Sequence, residues 1–526
     1  MKTKMYYIGS LGILFLMFAS SVFSQNITTT LGINGVFTIK DASNNYFTLS
    51  QSTGQVNILR TLRLENTTSS ILGILFKGTD RFLHNYGTNN TFLGINSGNF
   101  TMTGATNTAL GHSSLYSNTT GYYNTSVGQN SLYYNTTGYY NTAVGNNTLQ
   151  SNITGYFNTA LGTQSLYSNT TGYDNTAVGY ESLFSNTTAI QNTALGNRSL
   201  YFNTTGGYNT AVGYASLFSN TTGNFNIALG HSSLYSNTTG IDNTAVGNHS
   251  LQSNTTGIDN TAVGNSSLQS NTTGYYNTSV GQNSLYSNTN GYYNIAVGQN
   301  SLYSNTTGYL NTALGTQSLY SNTTGNENTA VGRGSGSIVT TGSNLTLIGF
   351  SVQPTSGTAT NQITLGNSLV TSLRCNVQTI TSLSDVRDKK NIQDLSLGLD
   401  FLMKVKPRLF NWDKREWYED NTSDGSKMKE APTAGFIAQE LDEVQMNENA
   451  EWLDLVLKDN PEKLEATYGN LLPVMVKAIQ ELKAENNMLK ERLSKFEQKV
   501  NELTSVKYTS LSKTNQKTKS NEGDEK

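Results

Sequence analysis

The stretch Asn175–Gln191, NTAVGYESLFSNTTAIQ, is one copy of a unit that repeats through the middle of the chain. Its consensus is Asn-Thr-Ala-Val/Leu-Gly-x-x-Ser-Leu-x-Ser-Asn-Thr-Thr-Gly-x-x, and its first glycine recurs every 17 residues from Gly94 to Gly366. A fixed period of this size indicates a stacked array in which each unit contacts its neighbours. The repeats therefore decide the fold of residues 94–366.

The unit has the composition of strands and turns. Two glycines, several Asn and Thr residues and no apolar stripe with a 3.6-residue period exclude a helical repeat. Thr176–Val178 is predicted to be one short strand and Ser182–Phe184 another, with a turn at Asn186–Thr188. The sequence thus predicts a mainly β protein built on a parallel β-roll or solenoid.

Few residues of each unit are dependably apolar. They are an Ala, a Val or Leu such as Val178, and a Leu such as Leu183. Burying these three is a small gain against the entropy of ordering a whole unit, so a core shared between chains is favoured. We expect an intertwined homotrimer, and a one-chain solenoid is the alternative. The motif Asn-Thr-Ala-Val-Gly is similar to the head repeats of trimeric autotransporter adhesins, and this likeness implies a trimeric parallel β-roll over about half of the chain.

Two side-chain patterns follow the repeat. Tyrosines occupy one position of the unit and are expected to form an aromatic ladder, either for packing or as a carbohydrate-binding face. Asn-x-Thr triplets such as Asn169-Thr170-Thr171 are either glycosylation acceptors or copies of one turn. The tyrosines at the shared position include Tyr133, Tyr167, Tyr201, Tyr235 and Tyr303.

The N-terminal segment has the features of an export signal. Lys2 and Lys4 precede an apolar run, and Ser24 ends a stretch that signal peptidase accepts, so residues 1–24 are predicted to be removed. A membrane anchor is the alternative. No later stretch could cross a bilayer, so the mature protein is expected to be secreted or at the cell surface. Residues 25–93 are predicted to be a β cap or attachment region, and the single cysteine, Cys375, excludes an intrachain disulfide framework.

The charge distribution argues against several kinds of partner. A net charge of -2 provides no basic field for nucleic acid. No metal or cofactor is expected, because the histidines have no Cys or acid at ligand spacing and no phosphate-binding loop is present. The partners expected are other copies of the chain and a cell-surface glycan or receptor. The four histidines are His84, His112, His231 and His249. The formal charges from Gly94 to Arg333 are Asp174, Glu181, Arg198, Asp242, Asp259, Glu327 and Arg333.

The composition changes abruptly at Ser384, after a β junction predicted over residues 367–383. Residues 384–392 read SDVRDKKNI. This Ser-Asp-x-Arg-x-Lys-x-x-Ile pattern resembles the start of the self-cleaving intramolecular chaperone domain of phage tailspikes, endosialidases and myelin regulatory factor. The resemblance implies a catalytic dyad, with Ser384 as nucleophile and Lys389 as general base, and cleavage beside Ser384, where the Leu383–Ser384 bond is favoured. It implies a single-turnover serine endopeptidase that cuts itself.

Two further blocks carry the same resemblance. They are Gly435–Leu441, and a group comprising Tyr468, Leu471–Pro473 and Ala478–Leu482. The likeness then covers most of residues 384–506. A helix near Leu399, ending before Pro407, and a strand at Leu409–Trp412 predict a small α+β domain.

The end of this domain has the spacing of a coiled coil. Apolar residues alternate at intervals of four and three, with Asn486 in one core slot, where a polar residue commonly sets register and strand number. A coiled coil is therefore predicted over residues 471–505, and a disordered tail over 507–526. A helix that packs on its own domain is the alternative. The apolar residues of this seam are Met475, Ile479, Leu482, Leu489, Leu493, Phe496, Val500 and Leu503.

The spacing of the dyad restricts its geometry. Five residues correspond to about 140° around an α-helix, so one helix could not present Ser384 and Lys389 on one face. Either the junction bends, or Lys389 meets Ser384 of another protomer. Lys390 is the competing base.

The leading hypothesis is an exported, trimeric, adhesin-like fibre whose C-terminal domain assembles three chains and then cuts itself off. The alternative is a surface adhesin with a permanently attached trimerisation domain. A glycan hydrolase built on the repeats is a third reading, disfavoured because no paired carboxylates recur in them.

Overall fold

A computed structural model describes residues 36–40, 45–50, 55–58, 62–69, 72–370, 372–374 and 384–520. The predicted signal peptide, Cys375 and Leu383 lie outside these ranges. The helices are α1 (Leu399–Leu402), α2 (Ala438–Asn447) and α3 (Leu472–Ser520), and 3-10 turns span Val386–Asp388, Arg415–Trp417, Glu451–Leu453 and Tyr468–Leu471.

The strands are short and follow the repeat. They are β1 (Val36–Lys40), β2 (Asn45–Ser50), β3 (Val56–Ile58), β4 (Leu75–Lys77), β5 (Asp80–His84), β6 (Thr91–Leu93), β7 (Thr108–Leu110), β8 (Thr125–Val127), β9 (Thr142–Val144), β10 (Thr159–Leu161), β11 (Thr176–Val178), β12 (Thr193–Leu195), β13 (Thr210–Val212), β14 (Ile227–Leu229), β15 (Thr244–Val246), β16 (Thr261–Val263), β17 (Thr278–Val280), β18 (Ile295–Val297), β19 (Thr312–Leu314), β20 (Thr329–Val331), β21 (Ser343–Ile348), β22 (Thr360–Leu365), β23 (Arg408–Phe410), β24 (Thr433–Gly435), β25 (Val456–Leu457) and β26 (Glu465–Ala466).

The repeats form a parallel β-solenoid, which confirms the predicted fold class. Strands β6 to β22 pair in parallel with their neighbours along the chain, and each residue lies opposite its counterpart one unit later, as Ala160 lies opposite Ala177. One 17-residue unit is therefore one coil, and about 16 coils are stacked. Because every strand pairs within one chain, the coils close as in the one-chain alternative. Association of several chains would then involve their outer faces.

The repeated glycine is required by the distance between coils. Gly179 has a φ of 134°, and a Cβ placed on it would lie 2.5 Å from the carbonyl oxygen of Gly196 in the next coil. Only glycine fits this left-handed backbone and this close approach. The period of the sequence is thus fixed by contact between successive turns of the backbone.

Two details of the predicted unit are wrong. Ser182–Phe184 is a turn and not a strand, because Leu183 has a φ of 51°, which directs its side chain into a fully buried position. The left-handed conformation costs about 1–2 kcal/mol, and burial of a leucine contributes a similar or larger amount, about 1.5–3 kcal/mol. Val178 lies on the outer face and not in the core, because side chains alternate along a strand and Ala177 points inward.

Asparagine ladders supply the interior that the apolar residues leave unfilled. Asn175 is fully buried, and its Nδ2 donates to Asn158 Oδ1 at 3.1 Å and to the Ala189 carbonyl at 2.9 Å. A second ladder contains Asn169, whose Nδ2 donates to Asn152 Oδ1 at 2.8 Å. Because Asn169 is the acceptor residue of a glycosylation triplet, its burial supports the interpretation of these triplets as copies of one turn.

The aromatic ladder is formed by packing between coils. The rings of Tyr167, Phe184 and Tyr201 stack at centroid distances of 5.1 Å with interplanar angles of 3° and 5°. Each inner ring therefore has both faces covered by its neighbours. A sugar would need an open ring face, so the geometry favours a packing role.

The N-terminal end of the solenoid is closed by a hairpin. Strand β5 pairs with β4 and with the first coil strand, β6, in antiparallel fashion. His84 at the end of β5 is buried, its Nε2 lies 2.8 Å from the Ser97 carbonyl oxygen, and its ring contacts Phe92 and Phe100. Burial lowers the pKa of His84 to about 4. Strands β1, β2 and β3 form a separate antiparallel sheet.

The C-terminal domain has its own small core. Phe401, Leu441 and Leu455 pack with Val474 at the start of α3, and β23 pairs with β24. Glu481 Oε2 accepts a hydrogen bond of 2.7 Å from the backbone amide of Leu399, the first residue of α1. Helix α3 continues to Ser520, so residues 507–520 are helical and the predicted disorder there is wrong. No helix in the described ranges is long and apolar enough to cross a membrane.

Candidate functional site

A 3-10 turn shapes the beginning of the C-terminal domain. Asp385 caps the Val386–Asp388 turn, and its Oδ1 accepts the Arg387 backbone amide at 2.9 Å. The Lys389 amide then donates to the Val386 carbonyl at 3.2 Å. The chain is extended at Asp385 and again at Lys389, so the turn is confined to the three residues between them.

An ion pair holds this turn. The Arg387 guanidinium donates through Nη2 to Asp385 Oδ2 at 2.6 Å and through Nε to Oδ1 at 3.0 Å. The hydrogen bonds from the Arg387 side chain and amide lower the pKa of Asp385, and the Asp385 carboxylate raises the pKa of Arg387. Asp385 thus joins the cap and the salt bridge in one side chain.

The turn brings the two dyad residues together in one chain. Lys389 Nζ donates to Ser384 Oγ at 2.5 Å. The junction therefore bends, which is the first of the two geometries considered from the sequence, and contact does not require a second protomer. Lys390 makes no hydrogen bond to Ser384 within the described ranges, so Lys389 is the lysine that lies beside the hydroxyl.

The dyad is open to solvent in the single chain. Ser384 and Lys389 are both exposed, as are all residues of 384–392. An amine can accept a proton only in its neutral form, which burial favours over the charged form. Ser384 and Lys389 therefore lie side by side in a solvated position, and not in the dry environment that activates a serine beside a base.

Helix α3 has two different apolar faces. Val474 and Ala478 are buried against the domain, whereas Ile479 is 65% exposed one residue further along. The exposed face is the predicted coiled-coil seam, and Asn486 lies within it, also exposed. One face of α3 thus packs on its own domain, and a second face with regularly spaced apolar residues is exposed to solvent. An exposed face of this kind is typical of a helix that forms a coiled coil with other helices. The exposed seam residues are Met475, Ile479, Leu482, Leu489, Leu493, Phe496, Val500 and Leu503.

Sequence reasoning missed two supporting contacts. Asp385 was part of the recognised pattern, but its capping role was not inferred, although an Asp two residues before a bonded amide is a common turn signature. The Glu481 contact with Leu399 joins residues far apart in the chain and has no local signal. Among the described residues, no cluster of three or more His, Cys, Asp or Glu side chains could hold a metal ion.

Comparison with known proteins gives one match. No curated protein and no solved structure matches the chain. Residues 384–450 match the Peptidase_S74 family model, described as the chaperone of endosialidase. The matched range begins at Ser384, one residue before the Asp385 cap, so residues 384–450 of this chain are similar to an intramolecular chaperone domain of the endosialidase type.

Proposed function

We propose that this protein is an exported, trimeric, adhesin-like fibre, and that its C-terminal domain assembles the trimer and then releases itself by serine-dependent cleavage beside Ser384. The observation that carries the cleavage proposal is the 2.5 Å contact between Lys389 Nζ and Ser384 Oγ, at the first residue of the family match. The exposed seam of α3 supports the assembly step.

The proposed reaction is an acyl transfer to the serine. Ser384 Oγ attacks the carbonyl carbon of residue 383 while Lys389 takes the hydroxyl proton. The bond from that carbonyl to the Ser384 nitrogen breaks, and Lys389 returns the proton to the leaving amine. Water then hydrolyses the ester, which leaves a new carboxylate on the fibre and a new amino terminus on the released domain.

Assembly would determine when the cut occurs. The dyad is exposed in a single chain, and a neighbouring domain packed against the 384–392 segment would exclude water and favour the neutral amine. Cleavage would then follow trimer formation and not precede it. This order prevents loss of the chaperone from chains that are still unassembled.

The repeats explain why such a chaperone is useful. All coils present nearly the same surface, so chains could associate out of register by one or more coils. The α3 seam is not uniform, because its polar Asn486 layer disfavours misaligned pairings. Association through α3 would align the chains before their long repetitive regions meet.

Three variants test the dyad. Ser384→Ala and Lys389→Ala should each leave the chain uncut while trimers still form, because neither removes packed apolar surface. Lys390→Ala is the matched control and should be cut as the wild type is. Intact mass and denaturing gels distinguish the products, and efficient cleavage of either dyad variant would end the assignment.

The alternative is an adhesin whose trimerisation domain stays attached. The solvent exposure of both dyad side chains favours it, since activation of a serine by a neighbouring base needs a site shielded from water. In that case the purified wild-type protein has the full mass and is trimeric. A single mass measurement therefore separates the two proposals.

A further inference from the structure

The outer face of the solenoid carries one position that is aliphatic in every coil. We define the aliphatic column as the last residue of each strand from β6 to β21, which runs from Leu93 to Ile348. These residues are Leu, Val or Ile without exception. They point outward and are partly in water, as shown by Leu195, which is 46% exposed.

Neighbouring outward positions are not restricted in this way. Two residues after the column, beyond the glycine, the coils carry His112, Gln129, Thr163, Tyr180 and Arg333. That position is comparably exposed and accepts almost any residue. The repeats thus act as an internal comparison, and the column alone excludes polar side chains.

Strand propensity does not account for this restriction. The residue two positions before each column residue also points outward, and there Thr is used in nearly every coil, with Ile227 and Ile295 as exceptions. Thr has a high strand propensity and nearly the shape of Val. If a stable strand were the only requirement, Thr would also occur in the column. Its absence indicates that the column is selected for hydrophobicity.

We propose that the aliphatic column is the surface through which three parallel copies of this chain pack against each other along the fibre axis. The proposal rests on the trimer proposed above, which the chaperone domain implies. None of the formal charges of the repeats lies in the column, so like surfaces can meet without repulsion. Three parallel columns in register would place three aliphatic side chains in each layer, as the α3 seam does in its own layers.

Cysteine cross-linking in the full chain tests the proposal. Val263 is in the column, and Asn265, on the outer face just beyond it, is the matched control. Each is replaced by Cys in a chain that also carries Cys375→Ser. Disulfide formation requires Cα atoms within roughly 4.4–6.8 Å of each other, which only residues near the trimer axis can satisfy.

We expect Val263→Cys to give covalent dimers on mild oxidation, at least about tenfold more than Asn265→Cys under the same conditions. Sedimentation of each sample before oxidation reports the trimer itself. A trimer without preferential linkage at residue 263 overturns the column assignment and leaves the proposed function intact. Absence of any trimer overturns both.

A second variant set avoids introduced thiols. Four successive coils carry valine in the column, at Val246, Val263, Val280 and Val297. Replacing all four by Thr keeps the shape and the strand propensity of the side chains and adds a hydroxyl group to each. The control is Thr→Val at Thr244, Thr261 and Thr278, in the first three of these coils, because the fourth already carries Ile295 at this position. We expect the first set to lower the denaturant midpoint for trimer dissociation and the control set not to lower it. Equal effects of both sets would contradict the proposal.

Discussion

Removal of one buried asparagine should destabilise the solenoid as much as removal of a buried leucine. In Asn175→Ala, four side-chain hydrogen bonds are lost, two donated by Nδ2 and two accepted by Oδ1. The Asn192 backbone amide is left without another acceptor among the described residues. The three other groups that bonded to Asn175 keep a second partner.

The magnitude follows from these contacts. An orphaned buried amide costs about 1–3 kcal/mol, and each of the three other bonds contributes about 0.5–1.5 kcal/mol. The sum is about 2.5–7.5 kcal/mol, against about 2–5 kcal/mol for Leu183→Ala in the same coil. Asn197→Ala is the control, because that side chain is exposed and makes no hydrogen bond within the described ranges.

Native-state hydrogen exchange is the appropriate assay, since a repeat array can open locally without unfolding as a whole. Amides of the coils on either side of Asn175 should exchange about 10²–10⁵ times faster in the variant, given about 1.4 kcal/mol for each factor of ten. If Asn175→Ala and Asn197→Ala exchange alike while Leu183→Ala is strongly affected, the asparagine ladder does not stabilise the fold as argued.

Three further predictions concern the two ends of the chain. The pKa of His84 is lowered to about 4 from 6.5, so the unfolded chain binds a proton between these pH values that the folded chain does not. The contribution of neutral His84 to the stability of the N-terminal end is therefore complete above pH 6.5 and is lost as the pH falls to 4, by up to about 3 kcal/mol. Thermal unfolding across this range should show this loss of stability. The variant His84→Gln should reduce the loss, and the control His231→Gln should not. Asn486→Ile should stabilise the α3 coiled coil but loosen its oligomeric state, as measured by sedimentation equilibrium, and unchanged behaviour would place Asn486 outside the seam contacts. Deletion of residues 384–526 should leave the repeats monomeric or aggregated, as measured by sedimentation, and a fragment of residues 25–383 that forms a trimer unaided would contradict the chaperone role.

Most of the fold could be predicted from the 17-residue period of the sequence. The 17-residue spacing from Gly94 to Gly366 predicted a stack of equal units. The structure gives the reason, because the glycines of successive coils are in contact and each coil must have the same number of residues. The inward and outward sides were harder to assign. Val178 was placed in the core because it is apolar, yet it faces out, whereas the polar Asn175 and Asn186 are fully buried. Hydrophobicity alone cannot identify a core that is held together by amide ladders.

In the candidate site, too, the local features could be predicted from the sequence and the contacts between distant residues could not. Ser384 and Lys389 could be named from a local pattern, and the short turn between them depends on neighbours in sequence. In the proposed mechanism the exposed dyad becomes active when another protomer covers it, and a contact between chains leaves no local pattern in the sequence. The contact between Glu481 and Leu399 likewise depends on how α3 folds back against α1.

The register between coils has a consequence for the length of the molecule. Each coil meets its neighbours through the same residues, so removal of one whole unit, such as residues 243–259, would bring together surfaces that already match elsewhere. The shaft would shorten by one strand spacing, about 4.8 Å, without a new contact being needed. Loss or gain of a number of residues that is not a multiple of 17 would break both asparagine ladders at once. Recombination between these near-identical units can therefore change the length of the solenoid in steps of one coil, while the structures at its two ends stay the same.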